Sequence, residues 1–416
     1  MKPRRVVITG AGVTSPIGVE LDEVSRALRE GACGIRQMPE WDRIDELRTR
    51  LAGAAPHDDR ALRRRYPRKK IRSMGRVALL ATYASERALA MAGLDEATLH
   101  SGRVGIAYGS TSGSSAALEA FCGKLFTRYS LSQLSSTDYL RFMSHTCAAN
   151  LAQFFGLRGR VIPTCSACTS GSQAIGYAYE AIKYGLQDIM LAGGAEELHF
   201  ASAATFDLMY ATSTRFNDQP EQSPRPFDAR RDGLVVGEGA GTLVLEELGR
   251  ARERGTPILG EVLGFGTNCD GEHVTAPAEP GMRGAMELAL ADAALAPAAI
   301  DYINAHGTAT DIGDVAESQA TAAVLGTGTP ISSTKSYTGH TLGACGAIEA
   351  IFCLLMMRDG FLARNRNLDE LDPRCAPLQF VRETLAAAPA RVMNNNFAFG
   401  GVNTSLIFGA PALLGD

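Results

Sequence analysis

The sequence predicts an α/β protein of two similar halves with mixed, mostly parallel sheets. Short apolar runs typical of buried strands alternate with stretches in which apolar residues recur at helical spacing. This alternation restarts after the polar segment GRARERGTP at residues 249–257. We therefore expect an N-terminal half at 1–255 and a C-terminal half at 256–416 that arose by internal duplication. A chain of 416 residues is long enough to build the large core that this architecture needs.

The elements of each half follow from the same pattern. The run VVITGAGVT at residues 6–14 predicts the first strand; its GAG turn lacks the third glycine of a dinucleotide loop, because Ser15 stands there. Further N-terminal elements are a helix at 75–93 and strands at 103–109, 188–194 and 242–246. The C-terminal half repeats the alternation with a strand at 258–265, a helix at 284–295 and a strand at 302–305.

Composition excludes several classes of protein. A net charge of −4 gives no reason to expect nucleic acid or a membrane surface as partner. No apolar stretch of about 18 residues predicts a transmembrane helix, and the first residues lead into a strand, not into a signal-peptide core. Nine cysteines without regular spacing are typical of reduced thiols, so we expect a cytoplasmic enzyme. No second Cys or His pair stands at zinc-ligand spacing, and we expect no metal.

The stretch TCSACTSG at residues 164–171 contains the candidate nucleophile. It lies between a strand-like run and a helical pattern, and Thr169 or Ser170 is expected to cap that helix, leaving Cys168 at its N-terminal edge. A helix dipole worth at most ~2 kcal/mol would lower the thiol pKa from ~8.5 to roughly 7. The alternatives are an inert buried cysteine or a redox pair with Cys165 at CxxC spacing.

Two histidines are candidate partners of this cysteine. His306 lies in NAHGT directly after a strand, where ligands of α/β proteins collect. His340 lies in the loop STKSYTGHTLGACG before the helix that contains Glu349. A single histidine is more often structural, but two in glycine-flanked loops leave both interpretations open. A third polar stretch, NNNFAFGGVN at residues 394–403, precedes the final strand.

A basic run at residues 60–76 contains no acid. It is either a solvated face or a docking surface for an acidic, phosphate-bearing partner. The candidate docking residues are Arg63, Arg64, Arg65, Arg68, Lys69, Lys70 and Arg72.

Together these segments carry a resemblance. TCSACTSG, YINAHGTAT, SSTKSYTGHTLGACGAIEA and NNFAFGGVN resemble the signature segments of β-ketoacyl-acyl-carrier-protein synthases of type II, in the thiolase superfamily. The similarity runs from RRVVITGAGVTSPIG to NTSLIFG, and four motifs in the correct order make it specific. The resemblance implies a thiolase-like αβαβα five-layer sandwich, no cofactor, and a homodimer or a heterodimer with a related subunit.

The resemblance also implies the chemistry. Cys168 would take an acyl group from an acyl carrier protein as a thioester, and His306 and His340 would stabilise the enolate formed when malonyl carrier protein loses carbon dioxide. Lys335 and Glu349 match a buried ion pair in a supporting role. The acyl chain would be extended by two carbons in fatty-acid biosynthesis.

Phe399 matches a gating phenylalanine at the acyl pocket, which Thr111 and Ser112 are also expected to line. Departures from the family pattern at Cys165, Ala398 and Asp311, and in the stretch containing Thr111 and Ser112, favour a ketosynthase of a secondary pathway (aryl polyene or type II polyketide) as the alternative. A disulfide between Cys165 and Cys168 is a further hypothesis. A thiolase that uses coenzyme A is a less favoured interpretation. A non-catalytic chain-length subunit is disfavoured because the cysteine and both histidines are present.

Overall fold

The computed structural model describes residues 3–415. The strands are β1 Val6–Thr14, β2 Ile35–Gln37, β3 Leu51–Gly53, β4 Val104–Gly109, β5 Val161–Thr164, β6 Ile189–Glu196, β7 Val236–Gly237, β8 Gly239–Glu247, β9 Gly260–Cys269, β10 Tyr302–Asn304, β11 Ile331–Ser332, β12 Arg391–Ala398 and β13 Val402–Gly409. The α-helices are α1 Leu21–Glu30, α2 Asp59–Arg64, α3 Arg68–Ile71, α4 Arg76–Ala92, α5 Glu96–Leu99, α6 Ser115–Arg128, α7 Ser136–Phe142, α8 Thr146–Phe155, α9 Ser170–Lys183, α10 Phe200–Leu208, α11 Leu248–Arg254, α12 Glu279–Ala293, α13 Asp311–Leu325, α14 Lys335–Thr338 and α15 Cys345–Asp359.

Ten strands form one sheet in the order β11-β10-β12-β13-β9-β1-β8-β6-β4-β5. The five strands on one side of the β9–β1 junction come from the C-terminal half, and the five on the other side from the N-terminal half. Each half-sheet has two antiparallel and two parallel neighbouring pairs, because β8 and β13 run antiparallel to both of their neighbours. The sheet is therefore mixed, with a larger antiparallel share than strand–helix alternation alone predicts.

The helices complete five layers. Helices α4 and α8 cover the outer face of the N-terminal half-sheet, α12 and, through a shared apolar cluster, α13 cover that of the C-terminal one, and α9 and α15 contact each other between the two. Helix α15 is buried almost throughout, as expected for a helix that is apolar on every face. The predicted α/β sandwich of two duplicated halves is confirmed. The boundary at residue 255, which follows α11, stays a prediction.

Three glycines bring the central segments into backbone contact. A Cβ placed on Gly194, in β6, would lie 2.4 Å from the carbonyl oxygen of Gly343, and one on Gly171, in α9, would lie 2.9 Å from the same oxygen. Only glycine permits these approaches. The start of α9, the end of β6 and the loop before α15 are thereby packed around one point. Among the described residues no helix combines the length and the apolar character needed to cross a bilayer.

Candidate active site

The candidate nucleophile lies in a tight turn between β5 and α9. After β5 the backbone passes through Ala167 in a left-handed conformation, with φ at +49°, before α9 begins at Ser170. Such a conformation is unfavourable for a residue with a Cβ, and it occurs where surrounding structure enforces it. The turn places Cys168, which is 6% exposed, immediately before Thr169, the N-cap position of α9.

The hydroxyl groups beside Cys168 hold this turn and do not cap the helix. Thr169 occupies the cap position, but its Oγ1 donates to the carbonyl oxygen of Ser166 at 2.7 Å. Ser170 Oγ donates to the carbonyl oxygen of Ala167 at 2.7 Å and accepts from the amide of Ser166 at 2.9 Å. The prediction of side-chain capping by these two residues is therefore wrong, because both hydroxyls form hydrogen bonds within the turn instead.

The structure brings both predicted histidines to Cys168. His306 follows β10, and His340 follows α14 and Gly339. His340 Nε2 lies 2.9 Å from Cys168 Sγ, and the two imidazole centroids are 5.2 Å apart with the rings nearly perpendicular. One nitrogen from each ring and the sulfur all lie within 4.8 Å of one another. A thiol and two imidazoles thus face one small volume.

Both histidines are neutral. Burial lowers the pKa of each imidazole well below its usual value, and the charge of Lys335 lowers it further. Within residues 3–415, Nδ1 of neither ring has a hydrogen-bond partner, so no protein group fixes the tautomer. Nε2 of His340 can accordingly accept the proton of Cys168 in one tautomer and donate a proton in the other.

Burial raises the pKa of the Cys168 thiol to about 12, although the charge of Lys335 and the backbone of Cys168 itself oppose the increase. The sequence-based expectation of a pKa near 7 is wrong, because loss of solvent outweighs the helix dipole in this pocket. The resting form is therefore a thiol, with its sulfur 2.9 Å from His340 Nε2.

The predicted ion pair is present and buried. Lys335 Nζ lies 2.5 Å from Glu349 Oε1, and the side chains are 1% and 4% exposed. Glu349 Oε2 accepts from Asn396 Nδ2 at 2.7 Å. Burial disfavours the ammonium form, but Glu349 outweighs burial and raises the pKa of Lys335 above its usual value. A permanent positive charge therefore stands beside the two histidines.

Sequence reasoning missed the carboxylate that holds the His306 loop. Glu317 Oε1 accepts from the amide of His306 at 2.7 Å, and Oε2 accepts from the amide of Gly307 at 2.6 Å. Burial raises the pKa of Glu317 to about 8. The sequence feature that could have indicated this carboxylate is the pair Asp314 and Glu317. They stand three residues apart, and so on one face, at the start of the helix that follows the histidine motif.

Cys168 and both histidines open into a cavity of about 700 Å³. Phe399 lines it, half-buried, with its ring 5.7 Å from that of Phe206. The next two residues, Gly400 and Gly401, have φ of +86° and +70°, which glycine adopts without strain. The cavity is therefore large enough for the reacting end of a substrate, and a glycine-rich loop forms part of its wall.

Thr111 and Ser112 are not among the residues that line this cavity. Thr111 instead donates from Oγ1 and from its amide to Glu196 Oε2, at 2.7 and 3.0 Å. Its carbonyl oxygen accepts from the Cys165 thiol at 3.1 Å. Because Cys168 faces His340 instead, the thiols of Cys165 and Cys168, both free, have different partners.

The basic run forms α2, α3 and their flanks. One predicted docking residue, Arg65, is already paired, with Nη2 2.8 Å from Glu86 Oε2. The other six form no ion pair in the described part of the chain, and together with Arg60 and Tyr66 several of them surround a cavity of about 510 Å³. Asp311, a departure from the family pattern, lies elsewhere, at the wall of the larger cavity, where it pairs with Arg374 at 2.5 Å.

The two halves of the five-layer sandwich bring a thiol and two neutral imidazoles to one cavity. This fold and this site define an acyl-transferring condensing enzyme of the thiolase superfamily. Residues 3–251 match the family model "Beta-ketoacyl synthase, N-terminal domain", and residues 259–369 match "Beta-ketoacyl synthase, C-terminal domain". The chain belongs to the β-ketoacyl synthase family.

Known proteins resemble the chain over almost its whole length. The 3-oxoacyl-[acyl-carrier-protein] synthase 1 of Escherichia coli K12 is 39% identical over 406 residues, 97% of this chain and 98% of the relative. A crystal structure of a β-ketoacyl synthase from Burkholderia phymatum STM815 is 55% identical, with a TM-score of 0.94, over 98% of this chain and 99% of that one. A structure described as the ishigamide ketosynthase/chain length factor is 33% identical, with a TM-score of 0.90, over 98% of this chain and 99% of that one.

Proposed function

We propose that the protein catalyses decarboxylative Claisen condensation of malonyl carrier protein with an acyl chain bound to Cys168, extending that chain by two carbons. The observation that carries the proposal is the 2.9 Å contact between Cys168 Sγ and His340 Nε2 at a cavity that His306 also lines. The relative from Escherichia coli is named for this class of reaction, 3-oxoacyl-[acyl-carrier-protein] synthesis.

In the first half-reaction Cys168 is acylated. Because burial keeps the thiol protonated, the proton passes to His340 Nε2 as the sulfur attacks the carbonyl carbon of the acyl thioester. The new carbon–sulfur bond forms, the bond to the carrier's thiol breaks, and the proton leaves His340 for that departing sulfur. The start of α9 favours the negative oxygen of the tetrahedral intermediate.

In the second half-reaction the two imidazoles donate to the thioester oxygen of the malonyl group. The bond to the carboxylate breaks, carbon dioxide leaves, and its electron pair forms the enolate. The enolate carbon attacks the acyl carbon on Cys168, the bond from that carbon to the cysteine sulfur breaks, and the resulting thiolate takes up a proton from solvent. Neutral imidazoles suit this step, since each buried ring carries one N–H that can donate to the developing enolate oxygen. Lys335 adds a positive charge nearby and acts as a positioning residue for the histidine loop.

The partner is an acyl carrier protein, acyl- and malonyl-loaded, that docks on the basic surface of α2 and α3. Six unpaired cations on one exposed surface attract an acidic partner and orient its approach. These six are Arg63, Arg64, Arg68, Lys69, Lys70 and Arg72. Arg65 is excluded from this role because Glu86 already neutralises it. We also propose a cytoplasmic location, where the thiol nucleophile stays reduced.

A second copy of the chain covers the β5 edge of the sheet. β5 is a terminal strand, and an unpaired edge with exposed apolar residues is a site of association. Helix α6, which precedes β5 in the same half, has no buried residue in the single chain, and Phe126 on it is 59% exposed. A homodimer through this face is our proposal. A heterodimer with a related subunit is the alternative, favoured by the resemblance to the ishigamide ketosynthase/chain length factor.

The test is a reaction with malonyl carrier protein and a panel of acyl carriers with saturated, polyenoyl and aryl-polyenoyl chains. Intact mass should show an acyl group on the wild type and none on Cys168→Ala, and the β-ketoacyl product should be two carbons longer. A saturated preference supports fatty-acid biosynthesis, and a polyenoyl or aryl preference supports a secondary pathway. Malonyl carrier left unchanged with every primer would contradict the proposed reaction.

A further inference from the structure

A second buried carboxylate, which takes no part in the steps above, ties two loops of the site together. Glu196 lies at the end of β6 and is 2% exposed. Its Oε2 accepts three hydrogen bonds: from Thr111 Oγ1 at 2.7 Å, from the Thr111 amide at 3.0 Å and from the Gly343 amide at 3.0 Å. One oxygen atom thus joins the loop after β4 to the loop that carries His340.

The two residues that Glu196 joins, Thr111 and Gly343, lie next to the segments that carry Cys168 and His340. Thr111 lies beside the nucleophile turn, because its carbonyl oxygen accepts from Cys165. Gly343 follows His340 by three residues, and between them Leu342 has a left-handed φ of +47°, which requires support from outside the loop. A Cβ on Gly343 would lie 2.6 Å from the Thr111 amide nitrogen, so the two loops are in direct contact at this point.

We propose that Glu196 is a positioning residue that fixes the His340 loop against the nucleophile turn and whose negative charge, held beside that turn, makes Cys168 a less reactive thiol. The proposal rests on the assignment of Cys168 as nucleophile. It predicts that removing the charge makes Cys168 more reactive while the condensation reaction becomes slower. Loosened packing would also slow condensation, and by admitting water to Cys168 it would speed alkylation as well, so control variants separate it from the loss of charge.

The charges around the two groups agree with this assignment. Burial raises the pKa of Glu196 to about 7, so the carboxylate is substantially ionised at slightly alkaline pH. Glu196 contributes, with burial and Glu349, to the raised pKa of Cys168, and Lys335 opposes them. The other titratable groups near Cys168 or Glu196 are His306, His340, Cys345, Cys147, Cys165 and Glu197.

The test measures alkylation of Cys168 by iodoacetamide from pH 6 to 10, with mass spectrometry of the Cys168 peptide to separate it from exposed thiols. Glu196→Gln keeps the shape of the side chain and removes its charge. We expect alkylation about three- to tenfold faster than in the wild type at pH 8, which corresponds to a thiol pKa lowered by roughly half a unit to one unit. We expect kcat for condensation about tenfold lower with KM for the carrier substrate unchanged, because the amide is a weaker acceptor for Gly343.

Two further variants separate charge from packing. Glu197→Gln is the matched control, since Glu197 is the neighbouring buried carboxylate, and it accepts instead from Ser114 and from the amides of Ala116 and Val77. Alkylation in this variant should stay at the wild-type rate. Thr111→Val removes one donor and keeps the charge, so kcat should fall several-fold with alkylation unchanged.

Alkylation of Glu196→Gln at or below the wild-type rate, or equal acceleration in Glu197→Gln, would overturn the proposal. The alkylation assay needs no carrier protein. Its outcome is therefore separate from the proposed condensation, which acylation of wild-type Cys168 tests on its own.

Discussion

Replacing Lys335 with methionine should destabilise the protein strongly, because it leaves Glu349 charged and buried. The two side chains are almost inaccessible, and in the variant Glu349 keeps only the bond from Asn396 Nδ2 at 2.7 Å. Breaking a buried pair by removing one partner costs about 3–5 kcal/mol of unfolding free energy. With an unfolding entropy of about 2.1 cal/mol/K per residue over the 416 residues, this loss corresponds to a melting temperature lowered by about 3–6 °C.

The loss should depend on pH in a defined direction. Burial raises the pKa of Glu349 even with Lys335 present, and removal of the ammonium raises it further. A carboxyl group whose folded pKa exceeds its unfolded value of ~4.3 favours the folded state at low pH and loses that advantage as pH rises through the folded pKa. The difference in melting temperature between Lys335→Met and wild type should therefore be smaller at pH 5 than at pH 8.

Thermal unfolding followed by circular dichroism at both pH values measures these differences. The control is the double variant Lys335→Met with Glu349→Gln, which removes the uncompensated charge and keeps an acceptor for Asn396. It should recover most of the lost stability at pH 8. A melting temperature of Lys335→Met within 1 °C of wild type at pH 8, or no recovery in the double variant, would refute the account of this pair.

Three other predictions concern the histidines, the docking surface and the dimer. The imidazole signals of His306 and His340 should show no titration near pH 6.5 in NMR spectra recorded from pH 7.5 to 5.5, because both histidines have pKa values well below 6.5; a titration near 6.5 would contradict neutral, buried imidazoles. Arg68→Glu should raise KM for malonyl carrier protein about tenfold and leave the rate with malonyl pantetheine unchanged, whereas Arg65→Glu should mainly lower the melting temperature because it opposes Glu86; equal KM values for the two variants would argue against the docking surface. Phe126→Glu should shift the protein to monomer in light scattering, while Leu288→Glu, at a 47% exposed leucine on α12, should not; a dimeric Phe126→Glu would place the interface elsewhere.

The first strand could be predicted to the residue, and other elements only approximately. Val6–Thr14 is buried on both faces in the middle of the sheet, so its apolar run coincides with the whole strand. Helix α12 begins five residues before the predicted start at 284, with Pro280 in its first turn. Strand β9 continues to Cys269, beyond the predicted end at 265, because its polar residues pair with β13. The local sequence pattern of a strand does not show which other strand it pairs with.

The residues that meet at the site could be predicted, but their environment could not. The order of motifs identified Cys168 and both histidines, because each stands in a small-residue loop beside a strand or a helix. The pKa of Cys168 was predicted in the wrong direction, since it depends on how completely the fold excludes water. The placement of Thr111 at the acyl pocket stays a prediction, but nothing near it in sequence indicates that Glu196, 85 residues away, accepts from both its amide and its hydroxyl.

The central position of β1 has a consequence for synthesis of the chain. β1 pairs with β8, and Val6 is aligned with Glu247, so this strand meets its main partner only when some 240 further residues have been made. At ~5–20 residues per second, that interval is about 12–50 s on the ribosome. During it a nine-residue strand destined for complete burial stays without its neighbouring strands, although α4, which packs against it, is made much earlier. We therefore expect heterologous expression to improve when chaperones are supplied, because both edges of the first strand stay unpaired during this interval.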